Sequence, residues 1–251
     1  MCGIAGFVLK KSREAYSQHL KAALLQLQKR GPDAHNTFVQ ERVGLGHARL
    51  SIIDTSNAAN QPMSDSSGRF TIVFNGEIFN YRELRQQHLS HISFVTTSDT
   101  EVLLHLFIEK GKDCLPLLNG FFAFAVYDKV TEQVFIARDR FGVKPLIIFE
   151  DENQWLFASE VKALLRFPIK REINFDALQH YLQLNYVPLE TSMLRGFRKL
   201  RPGSFLVISK SGLCKEGAFY EVPKTWLQHK YAGYEASQHE LKKLVEAAVE
   251  R

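Results

Sequence analysis

The hydrophobic positions along the chain predict strands mixed with helices, with strands in the majority. A continuous apolar run at Gly3–Leu9 is typical of a short buried strand. The β-rich runs at residues 43–53 and 70–74 predict two more strands, separated by a polar loop. An amphipathic helix lies between the first two runs and stops at Gly31 and Pro32. Its apolar stripe, at helical spacing, is Leu20, Ala23, Leu24 and Leu27.

From residue 98 onward, the sequence again predicts helices mixed with strands. Ser98 and Glu101 have the form of a capping box, which predicts a helix that Lys110 and Gly111 end. Ser159 and Asn174 are placed to cap two further helices, ending at residues 165 and 184. Successive antiparallel strands are predicted by apolar runs between polar or glycine-containing turns, at residues 121–127, 134–137 and 143–149, with a last strand at 205–208.

Composition places the chain among globular proteins. Of its 251 residues, 45% are hydrophobic and 24% charged, which excludes disordered, collagen-like and coiled-coil classes. After about residue 215 the sequence becomes polar and loses its periodicity, and one helix with an apolar stripe at residues 241–248 follows. A lone helix must bury such a stripe against something, and no second core follows. We therefore expect a main domain at residues 1–210, then a linker and the opening helix of another domain at 211–251.

Charge and cysteine content exclude several partners and locations. Lysine and arginine exceed aspartate and glutamate by 32 to 27, and the excess is spread out, so no nucleic-acid footprint is expected. No apolar run approaches a membrane span, and the first residues lack the order of a secretory signal. Three distant cysteines favour a reducing, cytoplasmic setting. No metal site is expected, because neither H-E-x-x-H nor C-x-x-C occurs.

Cys2 is a candidate nucleophile because of its position. If Met1 is removed, a thiol and a free α-amine belong to one residue. The α-amine has a pKa of about 7.7–8.0, so it can accept the thiol proton near neutral pH without a histidine. A small buried hydrophobic residue is the alternative role, since most cysteines have that role.

Four polar residues could complete a site for a free amino acid. Asn75 and Gly76 offer a side-chain and a backbone N–H for an oxyanion, although Asn-Gly is also the sequence of a tight turn. Arg49 lies in an apolar run, where its guanidinium suits a carboxylate. Asp99 and Glu77 could face an ammonium group, and Asp99 could equally be a solvated acid at a helix start.

A series of motifs in order along the chain resembles one known family. The opening Met-Cys-Gly-Ile-Ala-Gly resembles class II glutamine amidotransferases, which are N-terminal-nucleophile glutaminases. The later motifs resemble the asparagine synthetase (glutamine-hydrolysing) branch of that class. They begin at Arg30-Gly31-Pro32-Asp33, Gly46-His47-Ala48-Arg49-Leu50-Ser51-Ile52-Ile53-Asp54, Gln61-Pro62-Met63, Asn75-Gly76-Glu77-Ile78 and Ser98-Asp99-Thr100-Glu101, and continue through Ala137-Arg138-Asp139-Arg140-Phe141-Gly142 to about residue 208.

The resemblance implies a fold and a set of roles. The fold is α+β, an αββα four-layer sandwich of two antiparallel sheets, as in N-terminal-nucleophile hydrolases. Cys2 becomes the nucleophile, and Asn75 with Gly76 becomes the oxyanion hole. Arg49, with the main chain at Leu50, Ile52 and Ile53, would hold the α-carboxylate of glutamine. Glu77 and Asp99 would hold its polar and ammonium groups.

The resemblance also implies an activity, namely hydrolysis of L-glutamine to L-glutamate and ammonia through a γ-glutamyl thioester. The ammonia would pass to an ATP-activated carboxylate, converting aspartate to asparagine, in a C-terminal synthetase domain that needs ATP and magnesium. No Ser-Gly-Gly-x-Asp-Ser loop occurs here, so no cofactor is expected for these residues. A different ammonia acceptor, a non-catalytic glutamine-binding module, and the oligomeric state, a homodimer included, are left open.

Overall fold

The computed structural model describes residues 2–11, 16–188, 190–222 and 233–250. The chain divides into two compact units, Met1–Tyr220 and Glu221–Arg251. The strands of the described residues are β1 (Gly3–Leu9), β2 (Ala34–Gln40), β3 (Val43–Arg49), β4 (Met63–Ser64), β5 (Phe70–Ile78), β6 (Gly120–Asp128), β7 (Gln133–Arg138), β8 (Ile147–Glu150), β9 (Gln154–Ala158), β10 (Phe197–Lys199), β11 (Ser204–Ile208) and β12 (Cys214–Ala218). The α-helices are α1 (Tyr16–Gln26), α2 (Tyr81–His88), α3 (Asp99–Lys110), α4 (Val161–Leu164), α5 (Phe175–Leu184) and α6 (Tyr234–Val249).

The strands form two six-stranded antiparallel sheets. The first has the order β10-β8-β9-β1-β3-β2, and the second has the order β12-β11-β7-β6-β5-β4. In the first sheet β1 lies between β3 and β9, with Ile4 opposite His47 and Ala5 opposite Ala158. In the second, β5 pairs along its whole length with β6, which sets Asn75 opposite Ala123. Strand β1 directly follows Cys2, and β5 contains Asn75 and Gly76.

The core between the sheets follows from side-chain alternation along each strand. Successive residues of a strand point to opposite faces, so every second residue of β1, β3 and β5 points into the space between the sheets. That space is filled by an apolar cluster that includes Ile4, Val8, Val43, Leu45 and Val73. The intervening residues point outward, where Phe7 and Ala48 pack on α1 and α4, and Phe74 and Phe124 pack on α2 and α3. The unit is therefore an αββα sandwich, as the family resemblance implies.

The same alternation makes one end of the inner layer polar. Cys2 precedes Ile4 and Val8 on the inward face of β1, and His47 and Arg49 follow Leu45 on that of β3. Asn75 follows Val73 on the inward face of β5. The two sheets thus place a thiol, an arginine and an amide at one end of a shared core.

Several elements differ from their predicted extents. The strand predicted at residues 43–53 ends at Arg49, because the guanidinium of this residue is held by the loop that follows. Strand β5 continues to Ile78, so Asn75-Gly76 lies inside a strand and the tight-turn alternative is wrong. Ser159 does not cap α4, since its Oγ accepts the N–H of Ile4 and Glu160 takes the cap position. Asn174 does cap α5, and Ser98 caps α3.

Sequence patterning did not predict strands β2, β4, β9 and β10, helix α2, or strand β12. β12 pairs with β11 along its length and lies beyond residue 210. Its residues show no alternation of buried and exposed positions, because only Cys214 and Gly217 are partly buried and they lie on opposite faces of the strand. In the second unit, α6 extends the predicted helix to Tyr234–Val249, and none of its residues is buried. Residues 223–232 of the predicted linker lie outside the described residues.

Candidate active site

All nine residues that the sequence assigned to the site line one cleft of about 140 Å³. The cleft lies at the polar end of the layer between the sheets. The first sheet contributes Cys2 and Arg49, with the loop after β3 that contains Leu50, Ile52 and Ile53. The second sheet and the start of α3 contribute Asn75, Gly76, Glu77 and Asp99.

The thiol of Cys2 is held by the main chain at the end of β3. Its Sγ accepts the N–H of Leu50 at 3.4 Å and lies 3.6 Å from the Leu50 carbonyl oxygen. Burial raises the pKa of the Cys2 thiol above its ordinary value, while the Leu50 N–H lowers it in part. The sulfur is therefore a neutral thiol near pH 7, and a nucleophilic role requires a base to remove its proton.

The Arg30-Gly31-Pro32-Asp33 motif holds the main chain on both sides of the thiol. The Nε of Arg30 donates to the carbonyl of Cys2 at 2.9 Å, and its Nη1 lies 3.2 Å from Glu160. The Asp33 carboxylate accepts the N–H of Ser51 at 2.7 Å, in the loop that follows β3. The motif thus positions the residues around Cys2 and does not itself line the cleft.

Asn75 and Gly76 supply hydrogen-bond donors without protein partners. Asn75 is 1% exposed, and neither Nδ2 nor Oδ1 of its side chain bonds to any described residue. A buried amide without partners is costly, so its presence beside a cleft points to a ligand that completes it. At Gly76 any side chain is excluded, since a Cβ would lie 2.3 Å from the carbonyl oxygen of Phe121.

His47 connects the two sheets immediately before Asn75. Its Nε2 lies 3.1 Å from the carbonyl oxygen of Phe74, and the ring is 1% exposed. Because a carbonyl oxygen only accepts, Nε2 carries the ring proton. Burial lowers the pKa of His47 to about 3, so the ring stays neutral in this tautomer over the working pH range. His47 does not line the cleft and has no contact suited to proton transfer from Cys2.

Arg49 organises the loop that closes one side of the cleft. Its Nη1 donates to the carbonyl of Ser56 at 2.9 Å and to Oδ1 of Asn60 at 2.7 Å, and its Nη2 donates to the carbonyl of Asp54. The carboxylate of Asp54 in turn accepts the N–H of Thr97 at 2.8 Å, just before α3. A guanidinium has five N–H groups, so three bonds to the loop leave others for a ligand.

Asp99 is the buried acid of the site, and Glu77 is the exposed one. The carboxylate of Asp99 accepts the N–H of Ile78 at 3.1 Å. Burial raises the pKa of Asp99 to about 6, and the nearby charge of Glu77 adds to this effect. A cation bound beside Asp99 would restore its ionised form, as the ammonium of an amino acid would. Asp99 is therefore better placed than Glu77 for that group.

The cleft also contains residues to which sequence reasoning gave no role. Gln61 and Thr100 line it and bond to each other, with Gln61 Nε2 donating to Thr100 Oγ1 at 3.1 Å. Lys144 adds a second cation beside Arg49. Gln61 stands in one of the motifs quoted above, which is the signal that could have found it. Within the described ranges no cluster of three or more histidines, cysteines or acids could hold a metal ion, and no helix is long and apolar enough to cross a membrane.

Comparison with known proteins decides the family. Residues 1–220 match the glutamine amidotransferase domain family. The chain belongs to this family. As an amidotransferase domain it is 39% identical over 219 residues to asparagine synthetase [glutamine-hydrolyzing] 3 of Bacillus subtilis, covering 85% of this chain and 36% of that protein. It is 34% identical over 228 residues to putative asparagine synthetase [glutamine-hydrolyzing] 2 of Methanocaldococcus jannaschii, covering 82% of this chain and 44% of that protein. The chain thus spans less than half the length of these relatives.

Solved structures share the fold of this amidotransferase domain. The glutamine phosphoribosylpyrophosphate amidotransferase of B. subtilis, complexed with ADP and GMP, superposes with a TM-score of 0.61. The superposition covers 87% of this chain and 49% of that one, at 24% identity. A structure described as the allosteric regulatory enzyme of purine biosynthesis gives a TM-score of 0.60 at 23% identity. At such identities the likeness shows the shared sandwich fold.

Proposed function

We propose that this amidotransferase domain hydrolyses L-glutamine to L-glutamate and ammonia through a γ-glutamyl thioester on Cys2. One observation carries the proposal. The Cys2 thiol, the unpartnered Asn75 amide, Arg49 and the buried Asp99 line the same cleft. They are the groups that an amide-cleaving site for a free amino acid needs: a nucleophile, oxyanion donors, a cation and an anion.

The substrate would bind by its two charged groups. The ammonium would lie beside Asp99, whose carboxylate is buried and forms no ion pair with any described residue. The α-carboxylate would accept the remaining N–H groups of Arg49 and main-chain groups at Leu50, Ile52 and Ile53. Glu77, at the exposed edge of the cleft, would contact polar groups of glutamine. These contacts fix the side-chain amide in the direction of Cys2.

The hydrolysis would depend on Cys2, the first residue once Met1 is removed. With Met1 removed, the α-amine of Cys2 takes the thiol proton, and Sγ attacks the amide carbon of glutamine. The carbonyl oxygen becomes an oxyanion, which accepts hydrogen bonds from Asn75 Nδ2 and the Gly76 N–H. As the intermediate collapses, the C–N bond breaks and the leaving nitrogen takes the proton back, departing as ammonia. Water then attacks the thioester, which restores the thiol and releases glutamate.

The whole protein would use this ammonia elsewhere. Both relatives reported above carry asparagine synthetase in their names, and the chain spans 36% and 44% of their lengths. Because β12 belongs to the second sheet, the domain boundary expected at residue 210 moves to about residue 220. We propose that residues 1–220 act as the glutaminase of such a protein and that 221–251 begin an ATP- and magnesium-dependent synthetase domain, which would convert aspartate to asparagine. A cytoplasmic location fits its three cysteines, all of which are free. Association as a homodimer is a further proposal.

An assay with purified protein tests the glutaminase proposal. We expect ammonia and glutamate to appear in equal amounts from L-glutamine, and neither from D-glutamine, whose carboxylate and ammonium positions are exchanged. Calorimetric binding of L-glutamine without ammonia release would identify a non-catalytic binding module instead. Absence of both binding and release would remove glutamine as the substrate of this cleft.

A further inference from the structure

The outer edge of strand β5 carries a row of N–H groups that point away from β6. In an antiparallel pair, alternate residues direct their main-chain groups to opposite sides. Phe79 donates to the Asn119 carbonyl at 2.8 Å, on the β6 side, which identifies the odd-numbered residues as the ones that face β6. Phe74, Gly76 and Ile78 therefore direct their N–H groups to the other edge.

That edge is covered by a strand for only part of its length. Strand β4 has two residues, and they pair with Ile72 and Thr71. Beyond β4, side chains accept the N–H groups of β5 in place of a neighbouring strand. The Oε1 of Gln61 accepts the Phe74 N–H at 2.6 Å, and the carboxylate of Asp99 accepts the Ile78 N–H at 3.1 Å. All residues of this edge are described. The Gly76 N–H lies between those of Phe74 and Ile78, which already have side-chain acceptors, and Gly76 lines the cleft.

We propose that Gln61 is a positioning residue for the oxyanion hole. The inference rests on the proposed glutaminase function and adds a residue to it. Gln61 is 6% exposed and forms two bonds, to the Phe74 N–H and to Thr100 Oγ1. Its side chain therefore ties the peptide just before Asn75 to the helix residue just after Asp99. It joins the part of the cleft that holds the oxyanion to the part that holds the ammonium.

Hydrogen bonds to both the N–H and the carbonyl group of Phe74 fix the position of this residue. Gln61 accepts its N–H, and His47 of the opposite sheet donates to its carbonyl. Without Gln61 the Phe74 N–H would lie buried and unbonded at the open edge, and β5 would have to shift or admit water to satisfy it. A shift there moves the Asn75 amide and the Gly76 N–H together. Oxyanion donors act only when they lie at hydrogen-bond distance from the developing charge, so such a shift lowers the rate of chemistry.

Gln61→Met tests this role, because methionine keeps the length of the side chain and removes both hydrogen bonds. We expect kcat for glutamine to fall about tenfold or more, less than the 100- to 1,000-fold typical of deleting an oxyanion donor outright. KM for glutamine should change little, since the ground-state contacts remain. Gln154→Met is the matched control. Gln154 is also buried with one accepted and one donated side-chain bond, to Tyr16 and Asp151, and it does not line the cleft.

An aldehyde inhibitor separates positioning from stability. The open-chain form of L-glutamate γ-semialdehyde, which is in equilibrium with its cyclic imine, would add the Cys2 thiol across its C=O bond. Sulfur bonds to carbon, the C=O π bond breaks, and the thiol proton passes through the α-amine to the oxygen, which accepts the hydrogen bonds of the oxyanion hole. We expect Gln61→Met to weaken inhibition by this aldehyde by about the factor lost in kcat. Inhibition by L-glutamate, which needs no oxyanion hole, should be unchanged. Thr100→Val, which removes one of the two bonds, should give a smaller effect in the same direction.

The outcomes distinguish this inference from the proposed function. Wild-type protein that releases no ammonia would contradict the glutaminase itself. Two results would overturn the positioning role alone. In the first, the wild type is active and kcat is unchanged in Gln61→Met. In the second, both methionine variants lose thermal stability without losing kcat. If Gln61→Met does not fold, Thr100→Val decides, since unchanged aldehyde inhibition there would equally overturn the role.

Discussion

The carboxylate of Asp99 accepts the N–H of Ile78 at 3.1 Å and so fastens the first residue of helix α3 to the edge of strand β5. Asp99 is 5% exposed, and burial raises its pKa to about 6 from an ordinary value of 3.8. Because this acid faces the cleft, its protonation controls how well the cleft receives a cation.

Glutamine binding should therefore depend on pH through Asp99. Below pH 6 the free carboxyl is protonated, and it must lose its proton before it can pair with the substrate ammonium. We expect the Kd of Cys2→Ala protein for L-glutamine to rise about tenfold from pH 7.5 to pH 5, because one pH unit is a factor of ten in the ionised fraction. Calorimetry with this variant measures binding without turnover. In Cys2→Ala/Asp99→Asn protein the affinity should be weak at both pH values.

The same pKa shift predicts a change in stability. The folded state holds a proton on Asp99 between about pH 4 and pH 6, where the unfolded chain has lost it. The contribution of this group to stability is therefore lost as pH rises through that window. Asp99→Asn should raise the free energy of unfolding at pH 7 by about 1–3 kcal/mol, at 1.36 kcal/mol per pKa unit. Denaturant titration at pH 4 and pH 7 checks this, and a gain no larger at pH 7 than at pH 4 would contradict it.

Replacing Asn75 should separate activity from stability. Asn75→Ala removes an oxyanion donor, and we expect kcat to fall about 100- to 1,000-fold with little change in KM. Thermal stability should not fall, because the amide has no partner among the described residues. Asn80→Ala is the converse control. Its side chain bonds to Leu117 and Asn119 outside the cleft, so the melting temperature should fall while kcat is kept.

Arg49 should not tolerate replacement by lysine. A lysine ammonium cannot bond to Asp54, Ser56 and Asn60 at once and still present N–H groups to a carboxylate. We expect KM for glutamine to rise about 10- to 100-fold in Arg49→Lys, in line with 1.5–3 kcal/mol for hydrogen bonds to charged groups. Arg69→Lys is the matched control, because Arg69 forms a bidentate pair with Asp128 at the surface. An unchanged KM in Arg49→Lys would remove Arg49 from substrate binding.

The motif around Gly31 should be sensitive to a single methyl group. A Cβ at this position would lie 2.2 Å from the Ala48 carbonyl oxygen, within the main chain of β3. We expect Gly31→Ala to reduce soluble yield and melting temperature sharply, since backbone cannot move aside. Gly68→Ala, where no atom lies within 4 Å, should cost only the strain of a positive φ, about 1–2 kcal/mol. Equal melting temperatures for the two variants would contradict this packing.

Local patterns sufficed to predict many of the strands and helices, while their arrangement as a sandwich came from the family resemblance. Strand β1 and the capped helices α3 and α5 follow from apolar runs and from Ser98 and Asn174, which act over three or four residues. β3 was predicted too long, because residues 50–53 are apolar yet lie in a loop that Arg49 holds. The position of Asn75-Gly76 inside β5 was ambiguous, since the same dipeptide favours hairpin turns. Pairing with β6 over the full strand settles it.

The contacts that position the site could not be predicted from the sequence. Arg30 reaches Cys2 across 28 residues and Glu160 across 130, and Gln61 reaches Thr100 across 39. No local periodicity encodes such pairs, because they exist only once two sheets and a helix are stacked. Six of the nine candidate residues were proposed from what their own chemistry can do at their positions, as with an arginine in an apolar run. Leu50, Ile52 and Ile53 were proposed only from the family resemblance.

The central claim is that Cys2 supplies both the attacking sulfur and the nitrogen that moves the proton. It is tested most directly by ammonia release from L-glutamine, measured beside the intact mass that shows whether Met1 is present. We expect turnover by protein that begins at Cys2, and only background from Cys2→Ala and from protein that retains Met1. Turnover by Cys2→Ala would contradict the claim that Cys2 is the nucleophile. Full turnover with Met1 retained would contradict the claim that the α-amine of Cys2 is the base.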